Sequence, residues 1–238
     1  RVILMIVGIQ QPNYIPWTGY FYKIYASDKF VFLDDVQYTK NNYINRVKII
    51  SSKPDGQWLT IPVSYHFKDI IQIVRPAKKG WVDQHLNMLR HNYRNSKYFS
   101  LIWSDVVDLY KEVYALNSLS DINIKLIIGI SDRLGIKTDF IKSSELLSIS
   151  GTGGDRLIEI LKSFNDNSPQ YLSGSGGAKY QDEEKFKVEN IGLKYTDFVC
   201  PTYQQGIDGF TSGLSVLDMV FATGWERSYE LISNKKMK

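Results

Sequence analysis

The stretch Ile6-Val7-Gly8-Ile9-Gln10-Gln11-Pro12-Asn13-Tyr14-Ile15-Pro16-Trp17-Thr18-Gly19-Tyr20-Phe21, followed by Lys29-Phe30-Val31-Phe32-Leu33-Asp34-Asp35, decides the fold. It reads as a buried strand, a polar loop, a short helix and a second strand ending in two carboxylates. Pro12 and Pro16 fix φ and bias Gln11 and Ile15 toward extended backbone, so the loop is held in one shape and costs little to order around a ligand.

Outward from this unit, helix and strand signals alternate. Strands are predicted at Ile6 to Gln10, Phe30 to Asp34, Trp58 to Val63, Asp139 to Lys142, Gln170 to Ser173 and Leu193 to Val199, with the β-branched run Ile70 to Val74 as a short edge strand. The alternation predicts an α/β fold: a mainly parallel, Rossmann-like three-layer sheet with helices on both faces. Between strands three and four, residues 80–135 carry three apolar stripes at helical spacing. These are Trp81, His85, Met88 and Leu89; Ile102, Val106, Leu109, Tyr110 and Val113; and Ile122, Leu126, Ile130 and Leu134, ended by Gly135. They read as a helical insertion covering the sheet's active edge. With no internal repeat and no low-complexity linker, the expectation is one α/β domain over residues 1–238.

A chain of 238 residues with 43% hydrophobic side chains can bury one substantial core. Its net charge of +4 suits anionic small molecules and is too weak and too evenly spread to argue for DNA. No segment approaches the roughly 20 apolar residues that cross a bilayer, so no membrane insertion is expected. The run Val2 to Ile9 is short for a signal peptide and lacks a small-residue cleavage site. The one cysteine, Cys200, excludes an intramolecular disulfide and fits a cytoplasmic protein; at the end of a strand it reads as packing rather than as a nucleophile. Three histidines and no close His/Cys/Asp cluster argue against a metal site.

Two glycine-rich loops, Ser150-Gly151-Thr152-Gly153-Gly154-Asp155 and Ser173-Gly174-Ser175-Gly176-Gly177, each follow a strand and open a helix. Gly153, Gly154, Gly176 and Gly177 would let backbone amides approach a phosphate or carboxylate, against the alternative of plain turn chemistry. Neither loop has dinucleotide or P-loop spacing. His85 is the candidate for proton transfer near neutral pH; the alternative is a satisfied core histidine. Asp34 and Asp35 end a strand at the edge where open α/β sheets bind ligands, and only one of two adjacent side chains can face a shared pocket. Arg46 would clamp a phosphate or carboxylate, or make a surface ion pair, and Asn45 would donate to an oxyanion. Gln10 and Gln11 offer amide contacts, and Tyr14 and Trp17 would stack on a base or sugar unless they are core aromatics. Ser215 and Asp218 have capping-box spacing rather than that of a catalytic pair, and no Gly-x-Ser-x-Gly elbow is present.

The run from Gln10 to Asp35, with Tyr38, Lys40, Asn45-Arg46 and Ile49 behind it, resembles the WbqC-like family of bacterial proteins. The resemblance continues through Trp58-Leu59-Thr60-Ile61-Pro62-Val63, Trp81 with His85, Tyr93, Tyr98-Phe99, Ser143-Ser144-Glu145-Leu146, Tyr171-Leu172-Ser173-Gly174, Tyr180 and Leu214-Ser215-Val216-Leu217-Asp218. Members usually begin with methionine just before the first strand, which would make Met5 the natural start and residues 1–4 an upstream extension or an expression remnant. The family is associated with O-antigen and other surface polysaccharides. The resemblance therefore implies an acyltransferase that forms an amide, for example a glycyl amide, on the amino group of a nucleotide-linked amino sugar. Under it His85, Asp34, Asp35, Asn45 and Arg46 would be catalytic. Gln10, Gln11, Tyr14, Trp17, Lys40, the four loop glycines and Tyr180 would bind substrate. No tightly bound cofactor is implied. A carrier protein, aminoacyl-tRNA or an adenylate would supply the activated acyl group, whose identity the sequence leaves open. The alternatives are a non-catalytic sugar-nucleotide or glycan-binding accessory protein and a nucleotidyltransferase, the latter without the two-histidine signature of its class.

Overall fold

The computed structural model describes residues 4–53, 55–166, 168–179, 181–206 and 209–234. Strand β1 (Ile6–Gln10) leads through helix α1 (Thr18–Tyr25) to β2 (Lys29–Phe32). Two antiparallel hairpins follow, β3 (Arg46–Ile49) with β4 (Gln57–Thr60) and β5 (Val63–Ser64) with β6 (Arg75–Pro76). Helices α2 (Trp81–Tyr93), α3 (Phe99–Val113) and α4 (Leu119–Leu134) precede β7 (Asp139–Lys142). The chain then runs through α5 (Gly153–Lys162), β8 (Gln170–Ser173), α6 (Glu183–Val188), β9 (Gly192–Tyr195), α7 (Val216–Thr223) and α8 (Trp225–Ser233).

The central sheet has the order β7-β2-β1-β8-β9, and every neighbouring pair is parallel. This is the Rossmann-like α/β architecture expected from the alternation. Successive side chains of β1 and β2 leave the sheet on opposite faces. Phe30 and Phe32 join the larger core with residues of α1 to α4, α7 and α8. Val7, Ile9 and Val31 pack on the other face with Ile158 and Leu161 of α5 and Phe186 of α6. In the middle of β1, Gly8 has no room for a side chain: a Cβ there would lie 2.6 Å from Ser27 Oγ and 2.8 Å from a Phe30 ring carbon. Gly8→Ala is therefore expected to lower stability by about 1–3 kcal/mol, read as a shift in the urea midpoint without a change in slope.

Three local expectations are corrected. Residues 57–60 form a strand outside the central sheet, paired only with β3. Its pattern is one-sided, Leu59 buried between exposed Trp58 and Thr60, which suits a hairpin rather than a strand covered on both faces. The insertion thus runs from β2 to β7 and includes both hairpins as well as the three helices. Ile70 to Val74 is no edge strand. Ile71–Ile73 is a 3₁₀ turn that buries Ile71 and Val74 three residues apart and leaves Ile73 exposed. Ile15 is not extended: its φ is +37°, unusual for a β-branched residue. Tertiary contacts override the bias set by Pro16, since the Ile15 carbonyl accepts from Ser215 Oγ (2.9 Å) and the Pro16 carbonyl from the Val216 amide (2.9 Å).

Candidate functional site

The strand order fixes where a ligand crevice opens. From β1 the chain builds first toward β2 and β7, and later places β8 on the opposite side. The carboxyl edge between β1 and β8 is thus a topological switch point, the position where open α/β sheets take ligands. Register sharpens this. The β1–β2 ladder runs to Gln10↔Phe32, whereas the β1–β8 ladder ends at Gly8↔Leu172, so β1 and β8 part before β1 ends.

At the end of β1 lies a cavity of about 610 Å³. Gln10, Gln11, Asn13, Pro16 and Trp17 form its floor, and Asn42, Tyr43 and Val47 one side. Val199, Cys200, Ser212 and Gly213, from the segment between β9 and α7, close the other. Four carboxamides in one cavity supply both donors and acceptors, and no lining residue carries a formal charge at neutral pH. Trp17 is partly exposed and meets Phe198 edge-on at 5.8 Å. Tyr43 leans on Trp58 (5.8 Å), over which sit the Arg46 guanidinium at 4.1 Å and the Lys48 ammonium at 5.6 Å, a cationic aromatic ledge beside the cavity. Arg46 also donates to the Asn41 carbonyl, while its buried Nε has no partner. Asn45 Nδ2 donates to the Ile61 carbonyl (3.0 Å) and its Oδ1 is unpartnered.

Beneath Gln10, Lys23 of α1 is buried and donates to the Ile9 carbonyl (2.7 Å) and to Gln10 Oε1 (3.3 Å). Burial pushes its pKa down to about 7. Cys200 Sγ lies 3.5 Å from Thr18 Oγ1.

The other sequence candidates lie outside the cavity lining. His85 is buried on α2: Nε2 donates to the Thr60 carbonyl (3.0 Å), so Nδ1 accepts from the Tyr14 hydroxyl (2.7 Å), which in turn meets Tyr110. Burial lowers the His85 pKa to about 4. Tyr14 is thereby a core aromatic, and its backbone amide donates to the Tyr43 carbonyl (3.0 Å), which ties the cavity wall to this network. Asp34 is buried and accepts from Ser144 Oγ (2.7 Å), the Ser144 amide (3.0 Å) and Ser143 Oγ (3.2 Å). Asp35 accepts from Ser143 Oγ and pairs with Arg156. Both carboxylates fasten the turn after β7. Lys40 is exposed.

The first glycine loop opens α5 as expected, with Gly153 and Gly154 at its start. The preceding amides of Ser150 and Gly151 are taken by Glu159 of the same helix (2.8 and 2.9 Å). In the second loop Gly176 and Gly177 lie in a 3₁₀ turn, and a Cβ on Gly177 would fall 2.2 Å from Ser173 Oγ. Tyr180 lies outside the described residues. A larger groove, about 780 Å³, runs between α5 and α6, where Lys185 pairs with Asp155 and Lys162 with Glu189.

Sequence reading missed Lys23, Asn13, Asn42, Tyr43 and the wall residues Ser212 and Gly213. Lys23 alone had a visible signal, a single charge inside the otherwise apolar Tyr20-Phe21-Tyr22-Lys23-Ile24. Ser215 caps α7 as expected, accepting from the Leu217 amide (3.3 Å). The Asp218 carboxylate is turned instead into a buried cluster, accepting from Tyr203 (2.8 Å), Gln205 Nε2 (2.8 Å) and Tyr93. Among the described residues no helix is long and apolar enough to cross a membrane, and no three His, Cys, Asp or Glu side chains group to hold a metal ion.

The pattern of the WbqC-like protein family matches residues 11–230. Uncharacterized protein Rv1507c of Mycobacterium tuberculosis is 33% identical over 223 residues, 92% of this chain and 94% of the relative. No solved structure matches the chain.

Proposed function

The chain belongs to the WbqC-like protein family, and from that premise we propose that its cavity takes a nucleotide-linked amino sugar and that the protein acylates the sugar's amine, as in surface-polysaccharide synthesis. The observation that carries this reading is the lining. Gln10, Gln11, Asn13 and Asn42 suit a hydroxyl-rich ring, since each carboxamide both donates and accepts, and Trp17 and Tyr43 offer flat faces to a sugar or base. In the reaction the amine nitrogen bonds to the acyl carbon, the bond from that carbon to its carrier breaks with its electron pair leaving on the carrier's sulfur or oxygen, and the proton lost from the nitrogen ends on that leaving group. Carboxamide N–H groups are suited to the developing oxyanion. His85, Asp34 and Asp35 enter as positioning residues, because each is spent on internal partners.

That same observation favours a second reading, recognition of the sugar nucleotide without chemistry. Thermal shift with a dTDP-linked 4-amino-4,6-dideoxy sugar, followed by mass spectrometry after adding glycyl-tRNA or a glycyl thioester carrier, separates the two. A ligand at a hundredfold excess over Kd stabilises by about 2.7 kcal/mol. A shift with a glycyl mass added to the sugar supports transfer, and a shift alone supports recognition. The absence of any shift overturns both. Trp17→Ala is expected to weaken sugar-nucleotide binding at least tenfold while leaving the unligated melting temperature within about 2 °C, because the ring is partly exposed.

A further inference from the structure

In a parallel strand successive carbonyls point to opposite neighbours. Along β1 the Met5 carbonyl accepts from the Gln170 amide (2.8 Å), so odd-numbered carbonyls face β8. The ladder stops at Gly8↔Leu172, which leaves the Ile9 carbonyl facing the gap where β8 has turned away. Lys23 Nζ fills that gap: it donates to Ile9 O at 2.7 Å and to Gln10 Oε1 at 3.3 Å and lies 5.8 Å from the Tyr171 ring centre. Satisfying one carbonyl does not require a buried ammonium. Lys23 is 4% exposed, and no carboxylate pairs with it among the described residues. Buried cations are ordinarily neutralised by a partner, and this one has only neutral oxygens.

Gln10 supplies the link to the cavity. An ammonium can only donate, so it fixes Gln10 Oε1 inward and leaves Nε2, a donor, for the cavity that Gln10 lines. We propose that Lys23 is the buried counter-charge of a phosphate-bearing ligand seated at the parting of β1 and β8, and that it sets Gln10 to donate to a phosphoryl oxygen. This rests on the sugar-nucleotide reading of the cavity and adds which part of the ligand the end of β1 holds: the pyrophosphate, with the sugar or base left to Trp17 and Tyr43.

The test is isothermal titration of the purified chain with inorganic pyrophosphate, with the dTDP-linked amino sugar and with the same amino sugar lacking its nucleotide, on wild type, Lys23→Met and Gln10→Leu. Lys23→Met is expected to keep the fold, since the side chain is replaced by an apolar one of similar length, with an unligated melting temperature lower by roughly 2–10 °C because the Ile9 carbonyl loses its donor. It should weaken pyrophosphate and sugar-nucleotide binding at least tenfold and leave the nucleotide-free sugar within twofold. Equal loss for all three ligands, or no loss for any, overturns the proposal. Should Lys23→Met fail to fold, Gln10→Leu carries the test: it must weaken pyrophosphate at least threefold, and unchanged affinity overturns the proposal. Pyrophosphate binding that depends on Lys23 without any sugar-nucleotide binding keeps this inference and removes the sugar-nucleotide reading. Sugar-nucleotide binding indifferent to Lys23 does the reverse.

Discussion

Asp218→Asn is expected to show a stability deficit against wild type that widens by about 3 kcal/mol as pH falls from 6.5 to below 4, measured as the difference between two series of urea unfolding curves. The Asp218 carboxyl is buried, and burial pushes its pKa from the ordinary 3.8 up to about 6, against the opposing pull of the Tyr203, Gln205 and Tyr93 donors. A folded-state pKa above the unfolded one means that the native protein takes up the proton first. The resulting stabilisation is complete below about 3.8 and is lost as pH rises through 6. Asparagine has nothing to titrate, so the variant misses that gain. A deficit that stays constant over the interval would show that folding leaves the Asp218 pKa unchanged.

His85→Leu should have the opposite pH signature. At pH 7 it removes the acceptor of the Tyr14 hydroxyl and the donor to Thr60, an expected loss of about 2–4 kcal/mol. Burial lowers the His85 pKa from 6.5 to about 4, so the folded state prefers the neutral ring. That preference contributes fully above 6.5 and is lost as pH falls toward 4, by about 3 kcal/mol in wild type and not at all in the variant. The deficit of His85→Leu therefore closes on acidification. Asp218 and His85 titrate over the same interval with opposing effects, and each substitution unmasks the other. His85→Gln adds a functional arm: unchanged turnover with the sugar nucleotide would confirm that His85 positions Tyr14, and a collapse of turnover with ligand affinity preserved would make it a proton carrier.

The central sheet was legible because its strands obey local rules. Ile6 to Gln10 is a short, mostly apolar run and Gln170 to Ser173 sets Tyr171 and Leu172 between turn-rich flanks, and both strands are largely buried. The Trp58 strand was legible as a strand but not as a hairpin, since its partner, Arg46–Ile49, alternates charge with Val47 and Ile49 and looks like polar loop. Ile70 to Val74 shows the limit of propensity: β-branched residues there turn because Ile71 and Val74 both reach the core. Of the cavity lining, Gln10, Gln11 and Trp17 were legible because loop rigidity and strand polarity are local. Asn13, Asn42, Tyr43 and Ser212 converge only through tertiary structure. His85 and Asp34 stand out in the sequence by residue type, and only the structure shows the internal partners that hold them. Asp34 is engaged by the Ser143–Ser144 turn and His85, within α2, by Tyr14 and the Thr60 carbonyl, contacts made between segments far apart in the chain and so absent from any local pattern.

Val199, Cys200, Ser212 and Gly213 belong to a stretch, residues 196–214, whose described residues form no helix or strand. Gln205 folds back on Thr211 through two hydrogen bonds, and Gln205 and Tyr203 hang from Asp218. The Asp218 carboxylate in the first turn of α7 thus holds Tyr203 and Gln205 of this side of the cavity, while Phe198 packs on Trp17 and Tyr22 and Cys200 lies against Thr18. Side-chain contacts of this kind can let go while the strands stay paired, so local opening of this side and global unfolding are expected to be separate events with separate free energies. Hydrogen exchange should register the first at the amides of residues 198–200, 202–206 and 209–213 long before β1 and β2 begin to exchange, and anything that weakens the grip of Asp218 should speed that exchange before it changes the melting temperature.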